Sequence, residues 1–337
     1  MLAAGVAAPL VRKRVNAPPV ILQTVAFAAP VSLCVAARRS RARDVAVCAL
    51  QMWAYLAAYE TPHDDAERQL ERVHIDYPIV LDRALGLGEL PTVRLQRALA
   101  RSGPDGPQWR RLDGVLVWAH WIWFLVPHTA LAYILVRRPE RFPRAAVMTY
   151  AVFDLGACVY WLLPTAPPWY AAALAAKRIP PIAGGSGAAP IVGESGAAFG
   201  HLGNGSSRAS SEQLETLHVR RMMVEYGEDF WRERWGPLFT ALGGNPLAAM
   251  PSLHVASSVT AALLLFEVGP LEGALAWSYA FVLSFALVYL GEHYVADLLG
   301  GVALTAGVYL YGPRAAPLVR AGARAVTRLE ELAHEHA

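Results

Sequence analysis

Long apolar stretches separated by short polar segments make up most of this chain. The stretches long enough to cross a bilayer as helices lie at about 113–136, 144–163, 251–268, 272–290 and 293–312. Two weaker apolar stretches occupy 20–37 and 44–59. The pattern predicts an all-α fold, a polytopic membrane helix bundle with about six transmembrane helices, or seven if 20–37 also crosses.

The composition supports this interpretation. Of the 337 residues, 55% are hydrophobic and only 17% are charged, which is too apolar for an ordinary soluble domain of this size. The formal net charge is only +3. We therefore expect a membrane as the main partner and no nucleic acid, and we interpret the arginines as signals of membrane topology.

The arginines cluster in three places: 38–43 ("RRSRAR"), 137–144 ("RRPERFPR") and the segment after Gly312. Threading the chain through the predicted spans puts all three clusters on one side of the membrane. The positive-inside rule makes that side cytoplasmic. The chain is thus expected to be an integral protein of a bacterial-type plasma membrane, with the segments 60–112 and 164–250 facing outward.

The chain divides into three predicted regions. Residues 1–112 form an N-terminal region with one or two membrane segments and amphipathic interfacial helices. Residues 113–312 form a catalytic transmembrane core that includes the outer loop 164–250, and residues 313–337 form a basic cytoplasmic tail. Within the loop, 179–211 is rich in Gly, Ala and Ser, which predicts a flexible segment. The aromatic segment that follows it, to about 242, is predicted to be helical.

Candidate chemistry begins at the mouth of the 251–268 span, in the stretch "PSLH". Pro251 suits a first helical turn because its missing N–H is not needed there. Ser252 is expected to cap the helix or to bind an oxyanion, and His254 lies in the first turn on the outward side. A helix N-terminus also offers free N–H groups and partial positive charge, which favour an anion.

The stretch "GEHYVAD" begins the last span and contains a second candidate group. His293 and Asp297 are four residues apart, so both lie on one helix face. A carboxylate bonded to one ring nitrogen leaves the other nitrogen as a nucleophile or base. With His254 at the same outer face, the set suits phosphoryl transfer: one histidine attacks phosphorus and the other protonates the leaving oxygen.

A third motif, "APPWY", follows the outward end of the 144–163 span. Its prolines stop the helix, and Trp169 and Tyr170 are expected in the aromatic belt of the membrane interface. Together with Pro168 they are also candidates for substrate contact. The alternative is a purely structural helix stop.

Three further polar residues lie in or near the predicted spans. His120 and His128 are eight residues apart and so lie on roughly the same helix face, and Asp154 lies within the next span. Ionisable groups at membrane depth are candidates for function. We interpret all three first as polar contacts between helices.

The three motifs together resemble a known group. "PSLH" and "HYVAD" resemble the second and third signatures of the type 2 phosphatidic acid phosphatase superfamily. With "APPWY" and "YLGEHYVADLLGG" they resemble its inositol phosphorylceramide synthase and inositolphosphotransferase branch, over roughly 144–312. The resemblance implies a six-helix core and a phosphohistidine intermediate, without a metal or other cofactor.

The resemblance also implies a role for each residue of the motifs. His293 would be the nucleophile and Asp297 its partner. His254 would be the acid toward the leaving group and then the base toward the acceptor, and Ser252 would contact the phosphate.

Three departures from the broad superfamily affect the phosphate site. Leu253 stands where the superfamily has Gly, as in the synthase branch, and Leu287 stands where it has Arg. No basic residue near Pro164 matches the first superfamily motif, so the cationic clamp for the phosphate is open. The candidates are basic residues of the outer loop: Lys177, Arg178, Arg220 and Arg221, of which Arg178 and Arg221 are preferred.

The leading functional hypothesis is an integral-membrane phosphotransferase. It would move a headgroup phosphoryl, such as phosphoinositol, from a phospholipid to a lipid or glycan hydroxyl. One alternative is a lipid phosphate phosphatase that uses water on phosphatidic acid or polyprenyl-phosphate-type substrates. The other is a non-catalytic membrane scaffold. The spacing of the motifs does not identify the acceptor, so it does not separate a transferase from a phosphatase.

Overall fold

The computed structural model describes the chain except residues 13, 16, 65–68, 70, 105, 177–217, 243–244 and 336–337, and the side chains of 63–64, 240–242 and 334. The helices are Leu2–Val11 (α1), Pro19–Ala36 (α2), Arg41–Glu60 (α3), Asp76–Leu85 (α4), Pro91–Leu99 (α5), Arg111–Trp121 (α6), Leu125–Arg137 (α7), Phe142–Leu162 (α8), Pro168–Ala175 (α9), Met222–Trp231 (α10), Trp235–Leu242 (α11), Leu253–Val268 (α12), Pro270–Tyr289 (α13) and Val295–Glu335 (α14). Short 3-10 turns occupy Thr61–Asp64 and Arg232–Arg234, and a small antiparallel hairpin pairs Arg101–Gly103 (β1) with Gly106–Gln108 (β2).

The predicted all-α membrane fold is confirmed. In the described part of the chain, four helices are long and apolar enough to cross a bilayer, namely α2, α8, α13 and α14, and a bent pair, α6 with α7, adds a fifth. Helix α12 is apolar but has only 16 residues, and α3 carries charged residues at both ends. The stretch 20–37, one of the two weaker apolar stretches in the sequence, forms α2, which is long and apolar enough to cross a bilayer.

The stretch 113–136 is not one straight span. It folds as α6 and α7, which bend by 60° at the break between Trp121 and Leu125. Hydrogen bonds across the break, from Trp123 N–H to His120 O and from Leu125 N–H to Ile122 O, keep its backbone paired. Non-helical backbone at membrane depth is tolerated where it is buried in protein or lines a cavity. The break is therefore expected to face the interior of the protein.

Helix α12 lies at the centre of the bundle. It packs against α7, α8, α13 and α14, and most of its residues are buried, including all from Val255 to Ala262. An apolar cluster joins its Leu253 and Leu264 to Phe153 and Tyr160 of α8. A helix that is apolar all round is expected in such a central position.

Several short helices pack over one end of this bundle, and we call α4, α5, α10 and α11 the cap helices. Helices α4 and α5 are joined by a turn at 86–90 and contact α14 and α13 respectively. The segment from Met222 to Leu242 is helical, as predicted, and Met222 and Trp235 pack with Tyr289 and Leu290 at the end of α13. The predicted flexible segment 179–211 lies outside the described residues.

The arginine clusters gather at the opposite end of the bundle. Arg39 donates to Glu330 at 2.8 Å, and Arg43 bonds the same carboxylate. Arg144 pairs with Glu267 at 2.6 Å, near the C-terminal end of α12. These contacts place the basic residues at the end of the bundle that is distant from the start of α12.

Candidate functional site

Ser252 begins α12 as its N-cap. Its hydroxyl accepts the N–H of Val255 at 3.4 Å, and the side chain is fully buried. Leu253 is the first helical residue, so Pro251 precedes the cap instead of lying in the first turn. His254 follows in the first turn, as expected from the sequence. An N-cap hydroxyl that already accepts from the backbone still has its O–H available to donate.

His293 and Asp297 form the second half of the site. The His293 Nδ1 lies 3.2 Å from Asp297 Oδ2, and the same oxygen accepts the N–H of Tyr294 at 2.9 Å. Asp297 is completely buried and His293 is 4% exposed. Gly291 makes the turn into this segment with φ of +84°, a conformation that favours glycine. The carboxylate therefore holds the imidazole through Nδ1 and leaves Nε2 free of it.

The two motifs meet through their histidines. The Nδ1 of His254 lies 3.1 Å from the Nε2 of His293. The ring nitrogens therefore form one continuous chain from Asp297 through His293 to His254. In this arrangement a proton and a phosphoryl group can be exchanged at adjacent positions.

Close packing of α14 against α12 produces this contact. The N–H of Ser252 donates to the backbone oxygen of Asp297 at 2.9 Å. A Cβ at Gly301 would overlap the backbone oxygen of Ser252. One turn further, Thr305 donates to Ala256 O at 2.8 Å. The glycine permits the close approach that joins the two motifs.

The broken span lies directly against His254. The ring of Trp123 is 4.1 Å from the His254 ring between centroids, and the ring of His120 is 5.0 Å away at an interplanar angle of 24°. The indole N–H of Trp123 donates to Ser257 at 2.9 Å, which fixes the break to α12. The sequence favours His120 as a polar contact between helices, whereas the structure stacks its ring on His254 and gives its Nδ1 no hydrogen-bond partner among the described residues.

Arg221 is tied to the turn that carries His293. Its Nε donates to Glu292 Oε1 at 3.1 Å, and its guanidinium carbon is 3.7 Å from the centre of the Trp169 ring. Trp169 in turn donates its backbone N–H to Gly291 at 3.2 Å. The "APPWY" motif and Arg221 therefore both contact the segment that leads into His293.

The other clamp candidates are not brought to this place. Arg220 is held by Glu225, with Nε to Oε2 at 2.9 Å, and its guanidinium lies over the ring of Trp109. Lys177 and Arg178 lie outside the described residues. Within the described chain, Arg221 is thus the proposed clamp residue that the structure brings next to the histidine motifs.

Trp169 and Tyr170 are buried, with 6% and 1% exposure, so the prediction of an interfacial aromatic belt is wrong for them. They pack in one apolar cluster with Ala166 and Leu247. Pro168 begins α9 at its first position and is also buried. The motif ends a span as expected, but its rings turn inward because a segment distant in the sequence, around Leu247, covers them.

The two leucines that depart from the superfamily pattern, Leu253 and Leu287, are packing positions. Leu253 is buried, and a Cβ at Gly156 of α8 would overlap its side chain. Leu287 is 0% exposed and packs with Val255 and Leu283. An arginine at Leu287 would be placed among apolar side chains at a high desolvation cost.

One comparison with known proteins identifies the family of the chain. A family model described as the PAP2 superfamily matches residues 111–311. The chain belongs to the PAP2 superfamily. No curated protein and no solved structure matches it. Membership indicates a lipid phosphatase or phosphotransferase type of activity. The PAP2 match begins at the first residue of α6, so it includes the broken span as well as both histidine motifs.

Two acidic residues next to the candidate site were not singled out by the sequence pattern. Glu292 directly precedes His293 and holds Arg221, yet a lone glutamate at a turn is ordinarily a solvated residue. Asp82 of α4 is fully buried and accepts the N–H of Ala296 at 2.9 Å. In the sequence, its burial is indicated only by its place among apolar residues.

Two polar residues of the predicted spans do not contact the histidine motifs of the candidate site. His128 Nδ1 lies 2.7 Å from Phe124 O, four residues earlier at the start of the same helix, so its polar contact is local and does not join two helices. Asp154 accepts from Gln51 at 2.9 Å. The contact of Asp154 joins α8 to α3, so its interpretation as polar contact between helices is confirmed.

Proposed function

We propose that this PAP2 protein transfers a headgroup phosphoryl from a membrane phospholipid through a phosphohistidine at His293. The observation that carries the proposal is the chain of contacts from Asp297 to His293 to His254, at 3.2 and 3.1 Å. A histidine oriented by a buried carboxylate and contacted by a second histidine has the parts of a nucleophile and its acid–base partner.

The first step forms the covalent intermediate. The Nε2 lone pair of His293 attacks phosphorus, and the bond between phosphorus and the diacylglycerol oxygen breaks. His254 donates a proton to that oxygen, so diacylglycerol leaves neutral. Asp297 keeps the Nδ1 proton of His293 in place and stabilises the positive charge that the ring gains. Complete burial suits Asp297 to this role because its carboxylate has no competing contact with water.

The second step returns the enzyme to its starting state. His254, now neutral, takes the proton from an acceptor hydroxyl, whose oxygen attacks phosphorus. The bond between phosphorus and His293 Nε2 breaks, and the nitrogen recovers its lone pair. A lipid or glycan hydroxyl gives transfer, whereas water gives hydrolysis by the same residues.

The charge around the histidines favours a phosphodiester donor. Arg221 is paired with Glu292, which offsets much of its positive charge. Leu287 replaces a superfamily arginine and is buried among apolar side chains. A phosphodiester carries one negative charge and needs less neutralisation than a phosphomonoester. Together with the motif resemblance, this supports phosphatidylinositol as donor and phosphoinositol as the group transferred.

In the proposed orientation the site lies at the outer leaflet. His254 lies in the first turn of α12, and the arginine-rich end of the bundle lies where α12 ends, near Glu267. Basic residues favour the cytoplasmic side. The cap helices would then cover the site from outside the cell.

The test uses purified full-length protein in lipid nanodiscs. Phosphatidylinositol and phosphatidic acid are supplied separately, with and without a hydroxylated acceptor lipid, and products are identified by mass spectrometry. His293→Ala is the inactive control, and its melting temperature is compared with that of wild type. To detect the covalent intermediate, the protein is also digested with a protease. The digestion is kept at neutral or alkaline pH because the bond between phosphorus and histidine is acid-labile.

The outcomes separate the candidate functions. Diacylglycerol from phosphatidylinositol, with inositol phosphate moved to the acceptor and no turnover by His293→Ala, supports the proposal. Inorganic phosphate from phosphatidic acid alone would identify a phosphatase. A well-folded wild type that turns over neither lipid would favour a scaffold, and an active His293→Ala variant would exclude the mechanism.

A further inference from the structure

A third histidine lies in the wall of the site. His120 stacks on His254, with ring centroids 5.0 Å apart and an interplanar angle of 24°. Its Nδ1 is buried and has no hydrogen-bond partner among the described residues. Buried polar atoms in folded proteins are nearly always paired, so an unpaired one beside a reactive group suggests that a ligand completes the site.

The broken span explains why His120 reaches this position. The span bends by 60° directly after Trp121, and the rings of His120 and Trp123, before and within the break, both lie against His254. The Tyr279 hydroxyl donates to Ala119 O at 2.8 Å, and Trp123 donates to Ser257. Contacts with α13 and α12 therefore hold the chain on either side of His120.

The surroundings of His120 are those of the phosphate site. His120 stacks on His254, whose Nδ1 lies 3.1 Å from His293 Nε2, and Glu292 next to His293 pairs with Arg221. The turn between α13 and α14 supplies Glu292 and His293, and Arg221 directly precedes α10. His120 is thus separated from the proposed nucleophile by the ring of His254 alone.

We propose that His120 donates a hydrogen bond from its ring to a non-bridging oxygen of the lipid phosphodiester; this rests on the function proposed above. A neutral imidazole supplies one donor and adds no charge. Such a donor suits a singly charged phosphodiester at a site where Glu292 offsets much of the positive charge of Arg221. His120 takes no part in bond making, and the reacting proton stays with His254.

His128 provides a matched control on the same broken span. Its Nδ1 lies 2.7 Å from the backbone oxygen of Phe124, and its ring neighbours are Phe124, Tyr150 and Phe153. Its Nε2 is also buried without a partner among the described residues, but aromatic rings surround it and no contact joins it to His254. A loss that follows from disturbing the span should therefore appear in variants of both histidines.

The first measurement is turnover of phosphatidylinositol in nanodiscs by His120→Ala, His120→Gln and His128→Gln. Removing one preorganised donor to a phosphoryl oxygen typically costs about 100-fold or more in rate. We expect kcat/KM to fall roughly 100-fold in His120→Ala and about tenfold in His120→Gln, whose amide still donates. His128→Gln should stay within about threefold, the usual margin of changes away from a functional feature.

The second measurement does not depend on turnover. In the inactive His293→Ala background, phosphatidylinositol retained by the detergent-purified protein is counted by native mass spectrometry. Adding His120→Ala should weaken retention about fivefold or more, the value of one lost hydrogen bond, while adding His128→Ala should not. This readout reports on His120 even if phosphatidylinositol is bound and not converted.

The two proposals fail in different ways. If wild type converts phosphatidylinositol through His293 but both His120 variants match His128→Gln in turnover and retention, the role of His120 is wrong. If wild type is inert yet retention depends on His120, the transfer reaction is wrong and the phosphate contact stands. Equal losses in the His120 and His128 variants would make both residues structural and would overturn the inference.

Discussion

The carboxylate of Asp82 accepts the backbone N–H of Ala296, although 214 positions separate the two residues in the chain. Ala296 lies in the first turn of α14, directly before Asp297. An acidic side chain at a helix N-terminus satisfies a free N–H and matches the helix dipole. A cap helix, α4, therefore fixes the start of the helix that carries half of the candidate site.

Replacing Asp82 should change how stability depends on pH. Burial raises the pKa of Asp82 to about 6 from 3.8. Because the folded pKa lies above the unfolded one, the stabilisation by this group is fully present below pH about 4 and is lost as pH rises through about 6. Asp82→Asn keeps an acceptor and does not titrate. Its melting temperature relative to wild type should therefore rise by a few degrees between pH 4 and pH 7.5, and a pH-independent difference would contradict this.

Gly301→Ala should separate the two histidine motifs. A methyl group there would overlap the backbone oxygen of Ser252, so α14 must move away from α12. We expect turnover to fall at least about tenfold, since misplacement by about 1 Å can cost roughly 100-fold in rate. Gly307→Ala on the same helix is the control, because no atom lies within 4 Å of its added Cβ. That variant should be as active as wild type, and equal losses in both would rule out the packing explanation.

Gly156→Val should destabilise the bundle, and Leu253→Ala should partly rescue it. The valine side chain would overlap Leu253, which directly precedes His254. Leu253→Ala alone should cost about 2–5 kcal/mol for a buried leucine. The double variant should be more stable than the sum of the two single changes, because the alanine leaves room for the valine. Denaturation of all four proteins measures the coupling, and simple additivity would refute the contact.

Arg221→Ala should weaken phosphodiester turnover by roughly tenfold to 100-fold, as expected for a lost charged contact.

Glu292→Gln should release the guanidinium of Arg221 and increase the turnover of phosphatidic acid relative to phosphatidylinositol. Arg220→Ala is the control, since Glu225 holds that side chain. Headgroup preference is measured with mixed-lipid nanodiscs. An unchanged preference in Glu292→Gln would argue against Arg221 as the clamp.

Much of the candidate site was predictable from spacing and topology. His254 and His293 both fall at outward ends of predicted spans, so threading the chain places them at one face, and a spacing of four places Asp297 beside His293. Their contact across two helices follows once Gly301 permits close packing. These predictions rest on periodicity and helix ends, which the local sequence specifies well.

The contribution of the broken span was not predictable in the same way. The stretch 113–136 is as apolar as a single span. Hydropathy reports how apolar a segment is and not whether its helix is straight, so the 60° bend has no clear signal in the sequence. The inward position of Trp169 has a similar cause, because the residues that cover it are distant in sequence. His120 and Arg221 are brought to the site by tertiary packing alone.

The length of α12 has a consequence for how a lipid reaches the histidines. Its 16 residues span about 24 Å, which is shorter than the roughly 30 Å hydrocarbon thickness of a typical bilayer. If the end of α12 where Glu267 pairs with Arg144 is held at one surface, the other end stops about one helical turn short of the opposite surface. A phospholipid would then be drawn slightly inward with its acyl chains still among other lipids, and its rate of entry should depend on the thickness of the surrounding membrane.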